Sequence, residues 1–318
     1  MKETPLLLHI GLAKTATSTL QETIFLKHPQ VHYLGKVVGS ANKTKRKCLD
    51  DVSYKVLNPI LWNLGKPMKT ESTLSLFNES LLPSVSEGQV IVGSWEDLGH
   101  RTVEDHIEML NRCKAIFGGC RIMIALRNPI SLLPSLYLQN LREDFIEQNN
   151  YWMSSKSYAD IEIWYRKRIA RTQNPLLDYI DCIQSSIKEL GRENVGIFLF
   201  EELHENPNDY YQSVCEFMDI DSKIGVSLAK DEHLHPRMSE DQLVYMREVQ
   251  SSFLKRTRNS FSVCKSRRKA LRAKKSGPPA KVVLTERLVQ EVSDTCRDGH
   301  RWLVENLKLP LEKYGYPL

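Results

Sequence analysis

The chain predicts an α/β fold, a central and mostly parallel sheet flanked by helices, and three observations carry that expectation. Short apolar runs recur at 6–10, 89–94, 121–126 and 195–200, the form of strands buried on both faces. Segments of helical pattern separate them, as the crossovers between parallel strands require. The first run leads directly into Gly11, Lys14 and the hydroxyl residues Thr15, Thr17, Ser18 and Thr19. A strand–loop–helix junction of that kind aims backbone N–H groups and a helix N-terminus at one point, a ready anion site.

Taken in order, Leu6–Ile10 is the first strand, and Thr17 to about Lys27 follows as a helix with Leu20, Ile24 and Phe25 as its apolar stripe. Val31–Leu34 is a candidate second strand. Residues 42–47 (NKTKRK) read as a solvated loop or a phosphate-contacting edge, and 55–88 as mixed short helices between turn signals. The run 89–94 is the next strand. Thr102 with Asp105 resembles a capping box whose helix stops at Gly118-Gly119. After the strand 121–126, Pro134 fits a helix only in its first turn, which makes Ser131 the expected N-cap. A helix from about Pro175 to Leu190 ends at Gly191, Val195–Phe200 is the last clear strand, and Asn206-Pro207 opens another helix. Ser239 with Gln242 caps a later helix, Ser276-Gly277-Pro278-Pro279 is a breaker, and Thr285 opens the final long helix.

At 318 residues the chain can bury about three quarters of its unfolded surface. With no internal repeat and no composition boundary, one domain over 1–318 is the simplest organisation, with a basic and mobile segment at 255–280. The net charge of +5 is modest, but ten Lys or Arg and no Asp or Glu lie between Lys255 and Lys275. That run reads as a solvated face, or as a lid or cradle for an acidic ligand. Seven scattered cysteines, odd in number and without a CxxC pair, argue against a disulfide framework and a zinc site. His233 and His235 have no further ligand pattern around them, so no metal site is expected. Met1–Pro5 leaves no room for a signal peptide, and no apolar run reaches 18 residues. A cytoplasmic protein without a membrane span is the expectation.

Lys14-Thr15-Ala16-Thr17-Ser18-Thr19-Leu20-Gln21 lacks the glycine that precedes the lysine in the ATPase loop, since Ala13 stands there. It resembles instead the 5′-phosphosulfate loop of the sulfotransferase family, approximately KTGTTSLQ after a strand. Ala16 stands at the family's usual glycine, and a position needing positive φ disfavours alanine. A second match is Arg121–Pro129 continuing to Tyr137, where the family places an arginine at the strand end and a serine eight residues on. Arg127 and Ser135 occupy those positions. Phe198–Leu203 with Asn206-Pro207, and the ending Tyr314-Gly315-Tyr316-Pro317-Leu318, are further similarities, the last to bacterial members.

The resemblance implies a P-loop-NTPase-like sulfotransferase fold and in-line transfer of a sulfonate from PAPS (3′-phosphoadenosine 5′-phosphosulfate) to an acceptor hydroxyl, with no required metal. It assigns donor binding to Lys14, Thr15, Ala16, Thr17, Ser18, Thr19, Arg127 and Ser135, and makes Lys14 the residue that neutralises charge on the leaving oxygen. Carbohydrate-directed members commonly use a glutamate base and the small-molecule class a histidine. Glu96 is therefore the first candidate and His100 the second, with His9 and His32 behind them. Lys36 ends a strand and could bind donor or acceptor. The acceptor is a small molecule or glycan; no nucleic acid is expected as a partner. Plainer readings stand beside these: a well-capped helix start for the loop, an ion pair for Arg127, a helix cap or solvated acid for Glu96. An ATP-using kinase and a non-enzymatic binder of acidic polymers are the rival functions.

Overall fold

The computed structural model describes residues 5–36, 47–62, 64–96, 102–148, 153–172, 179–229 and 238–318. Most of the basic 42–47 stretch therefore lies outside the described residues. In chain order the elements are β1 (Leu6–Gly11), α1 (Thr17–Leu20, continued by a π turn over Gln21–Phe25), β2 (Val31–Lys36), β3 (Lys47–Cys48), α2 (Asp51–Leu61), α3 (Thr70–Leu76), β4 (Val90–Trp95), α4 (Val103–Phe117) and β5 (Cys120–Leu126). There follow α5 (Pro129–Glu147), α6 (Ser155–Ala159), α7 (Ile161–Thr172), α8 (Ile180–Leu190), β6 (Val195–Leu199), α9 (Phe200–Glu205), α10 (Pro207–Met218) and α11 (Ser222–Ala229). The chain closes with α12 (Glu240–Ser251), α13 (Phe253–Phe261), α14 (Cys264–Arg272) and α15 (Glu286–Leu307). These elements group into two compact units, Met1–Arg127 with Tyr179–Leu234, and Asn128–Asp178 with His235–Leu318.

The first unit holds the sheet, in the order β3-β2-β4-β1-β5-β6. Five strands, β2 to β6 across β4, β1 and β5, are parallel, and the two-residue β3 runs antiparallel at the edge. β1 is central and wholly buried, which is why its sequence is a continuous apolar run. The chain leaves β1 toward β2 on one side and later crosses from β4 to β5 on the other. The carboxyl end of β1 is thus the topological switch point, where open α/β sheets bind ligands.

On one face, Leu7, Val92 and Met123 of the sheet pack with Leu20, Ile24 and Phe25 of the α1 stretch and with Tyr210, Val214 and Met218 of α10. Helix starts follow local chemistry. Asp50 accepts from the Ser53 N–H at 2.7 Å, Thr102 from that of Asp105 at 3.2 Å, and Asn206 precedes Pro207 at the start of α10. Gly118 ends α4 in the left-handed region at φ 74°. The described part of α8 runs Ile180–Leu190, and the expected start at Pro175 lies outside the described residues. One boundary differs from the sequence expectation. Phe200 opens α9 instead of ending β6, because Glu202 turns back to accept from the Leu199 N–H at 3.3 Å.

The second unit is helical. Asn128, not Ser131, caps α5: its side-chain oxygen accepts from the Ile130 N–H at 2.9 Å and Pro129 supplies the first helical φ. Pro134 consequently lies inside the helix and removes one hydrogen bond there. Ser239 and Thr285 cap α12 and α15 as the sequence indicates. Residues 255–275 form most of α13 and all of α14.

Candidate active site

The site is built at the carboxyl ends of β1, β2, β4 and β5. Gly11 closes β1 where only glycine fits: a Cβ there would lie 2.7 Å from the Ala125 carbonyl oxygen and 2.9 Å from its nitrogen. Beyond it, Lys14 and Ala16 both take left-handed backbone, at φ 70° and 60°. For side chains with a Cβ each such residue costs roughly 1–2 kcal/mol, strain of the kind that collects at ligand sites. Left-handed residues at alternate positions curl successive N–H groups toward one side, making an anion-binding concavity.

The position that the family fills with glycine is therefore a true left-handed position, and alanine occupies it. Ala16 is also the N-cap of α1 and offers no side-chain cap. The plain reading as a well-capped helix start fails on that point. Ala16 contributes its carbonyl, which accepts from the N–H groups of Thr19 and Leu20. Thr15 is fully buried, and its hydroxyl donates to the Leu12 carbonyl at 2.6 Å. It braces the loop, leaving its backbone N–H as its means of contacting a ligand. Thr17 is buried, and Ser18 and Thr19 are half-buried.

Arg127, at the end of β5, donates from Nη1 to the Lys14 carbonyl at 3.0 Å, and its guanidinium lies 4.3 Å from the centre of the Phe200 ring. Two motifs far apart in sequence thus meet, and the stacked, planar cation sits beside the strained loop. Ser135 lies on α5, in the second unit.

Glu96 follows β4 and is enclosed. Its Oε1 accepts from Lys36 Nζ at 2.6 Å and from Gln21 Nε2 at 2.9 Å. The same Gln21 nitrogen donates to Ser94 Oγ at 2.8 Å, and His9 Nδ1 lies 2.9 Å from that oxygen. Burial pushes the Glu96 carboxyl upward, but the Lys36 ammonium and the Thr17 hydroxyl outweigh it and hold the group below its ordinary value. Glu96 is ionised at neutral pH. His9 is wholly buried, and desolvation takes it down to about 4 against the pull of Glu96, so it is neutral there. Its Nε2 has no hydrogen-bond partner among the described residues. His32, half-buried on β2, is lowered by burial with Asp50 opposing. His100, His233 and His235 lie outside the described residues.

The sulfotransferase domain family matches residues 5–309, nearly the whole chain. The chain belongs to the sulfotransferase family. Among solved structures it is similar to a sulfotransferase from Alicyclobacillus acidocaldarius, with 20% identity, 69% of this chain and 82% of the other covered, and a TM-score of 0.43. Sulfotransferase STF9 from Mycobacterium avium gives 14% identity, 74% and 70% coverage and a TM-score of 0.45. Mouse sulfotransferase SULT7A1, solved with PAP, gives 15%, 71% and 65%, and 0.38. No curated protein matches the chain.

Within the sulfotransferase fold, the structure brings Lys14, Arg127, Glu96 and Lys36 to the carboxyl end of the sheet. Sequence reasoning misses Gln21, Ser94 and Phe200 as parts of the site. Gln21 closes the motif that the sequence does single out, and its place at the end of that run of hydroxyl residues is the available signal. In the structure it is buried at the start of the π turn. π turns recur at functional sites because they rotate one side chain out of helical register.

Proposed function

We propose that this sulfotransferase moves a sulfonate from PAPS to an acceptor hydroxyl, with a carbohydrate or other glycan as the acceptor. The single observation that carries the donor assignment is the meeting of the left-handed Lys14–Ala16 loop with Arg127. The loop N–H groups suit the 5′-phosphosulfate, and the arginine fork suits a second phosphate, the 3′ one, with Ser135 assigned to the same group from its sequence position. PAPS, when bound, supplies an activated sulfur whose bridging S–O bond breaks as the acceptor oxygen bonds to it. Lys14 neutralises the charge that gathers on the departing oxygen. Glu96 takes the acceptor proton, and Gln21 and Lys36 fix its position. The enclosed carboxylate supports a hydroxyl acceptor of the carbohydrate type. The family match runs through both units, which supports one catalytic domain.

Calorimetry with PAP and with ATP–Mg²⁺ tests the donor assignment. PAP binds more tightly than ATP–Mg²⁺, and Arg127→Ala weakens PAP binding on the order of 10- to 100-fold, the loss of a charge-assisted phosphate contact. Arg127→Lys does not restore it, because lysine lacks the planar fork and the stack on Phe200. Equal affinity for PAP and ATP–Mg²⁺ would remove the assignment. Turnover by Glu96→Gln at the wild-type rate would remove Glu96 as the base.

A further inference from the structure

Helix α13 and the turn into α14 carry four exposed apolar side chains: Phe253 is 72%, Leu254 80%, Phe261 86% and Val263 66% accessible. Apolar groups this exposed and this close in sequence mark an interaction surface. At 100° per residue, Phe253, Leu254 and Phe261 fall within a stripe about 100° wide. Arg256 and Arg258 flank that stripe while Lys255 lies on the opposite side of the helix; all three are exposed, as are Lys265, Arg268, Lys269 and Arg272 on α14. Lys255 pairs with Glu248 at 3.9 Å and Arg268 with Glu147 at 4.0 Å; both are loose surface contacts, and such pairs hold little.

The surface is braced from beneath. Arg267 is buried. It donates from Nε to the Ile146 carbonyl at 2.7 Å and from Nη1 to the carbonyls of Asn259, at 3.1 Å, and Ser262. Gln242 donates to the Leu271 carbonyl at 2.9 Å, and Ser239 to that of Lys274 at 3.2 Å. The apolar side chains therefore project from an anchored hairpin, not from a frayed end.

We propose that α13 and the α13–α14 turn dock the protein on an anionic membrane surface, with Phe253, Leu254, Phe261 and Val263 entering the headgroup–acyl boundary and the flanking Lys and Arg meeting acidic headgroups. Charge selects this occupant. A second copy of the same face would set the exposed Lys and Arg of this segment, which itself contains no Asp or Glu, against an equal set. A soluble acidic polymer needs the charges but gives no reason for four exposed apolar groups. An amphipathic helix with a cationic border fits a lipid interface on both counts.

Co-sedimentation of the full chain tests the proposal, using vesicles of phosphatidylcholine alone and vesicles with one part in three phosphatidylserine. The protein partitions onto the anionic vesicles, and raising salt from about 0.15 to 0.5 M releases it. Phe253→Ser/Leu254→Ser/Phe261→Ser lowers the partition coefficient on the order of 1,000-fold, with an unchanged melting curve and PAP affinity. Arg256→Gln and Arg258→Gln each lower it about fivefold. Should the triple variant melt early, Leu254→Ser alone, with about a tenfold loss, serves instead. Equal binding to both vesicle types overturns the proposal. So does full binding by the apolar variant, which would indicate a polyanion ligand, or a concentration-dependent dimer that the variant abolishes.

Discussion

Between Leu12 and Thr17 the chain carries two left-handed residues with side chains, and the Thr15 hydroxyl is turned into the protein. Between Phe253 and Val263 the backbone is ordinary helix and turn, while apolar and cationic side chains stand in solvent. Both segments are rich in basic or hydroxyl residues, and a count of residue types does not separate them. What differs is where the unfavourable terms sit. The loop holds backbone strain beside desolvated ionisable groups, which a bound anion can offset. The helix exposes apolar surface, which only an external partner can cover. The first arrangement suits binding a small charged ligand and doing chemistry on it; the second suits docking.

Breaking the loop's side of this comparison has the largest effect. Lys14→Ala removes the cation proposed to neutralise the departing oxygen and lowers kcat about a thousandfold or more, the scale of losing one preorganised electrostatic group. PAP affinity falls far less, because the N–H groups and Arg127 remain. Single-turnover measurement of sulfonate transfer checks this, and the variant's vesicle partition stays at the wild-type value.

Legibility in the sequence follows the same division. The strands are readable because central parallel strands are mostly apolar, and the caps at Thr102, Asn206, Ser239 and Thr285 because capping is a local event. Lys14, Arg127 and Glu96 are readable from motif and from position at strand ends. The Gln21–Ser94–His9 network is not, since Ser94 stands more than 70 residues from both of its partners and the three share no period. Phe200 under Arg127 is hidden by one residue of boundary: as a strand end it has no reason to face the arginine. The cap of α5 is misplaced from sequence because Pro134 dominates the local pattern, whereas Asn128-Pro129 makes the start and the helix accommodates the second proline.

The buried ionisable groups give the next effects. His9 has its pKa lowered from 6.5 to about 4 by burial, so the unfolded chain binds a proton there that the folded one refuses. Stability from this group is complete above pH 6.5 and declines as pH falls toward 4, by roughly 3 kcal/mol across the window. Chemical denaturation at stepped pH shows a shallower acid slope for His9→Gln than for the wild type. Lys36→Met acts on catalysis instead. Without the ammonium, Glu96 loses the main force holding its carboxyl down, while burial still pushes it up. A base must be ionised to work, so the acidic limb of the kcat/KM profile moves to higher pH. An unmoved limb would mean that Glu96 does not take the acceptor proton.

The smallest effect is the sharpest test of the strain argument. Ala16 sits at φ 60° and ψ 19°, where an L residue with a Cβ is disfavoured and glycine is not. A glycine in its place would make the unfolded chain more flexible, which opposes folding by a few tenths of a kcal/mol up to about 1 kcal/mol. Relief of the left-handed strain is worth roughly 1–2 kcal/mol, so Ala16→Gly comes out stabilising by about 1 kcal/mol, a rise in Tm of about 2 °C. The same substitution at Ala13, whose φ is not positive, carries only the entropic loss and lowers Tm. If both variants fall together, the loop is not strained at Ala16, and the contrast with α13 rests on its side chains alone.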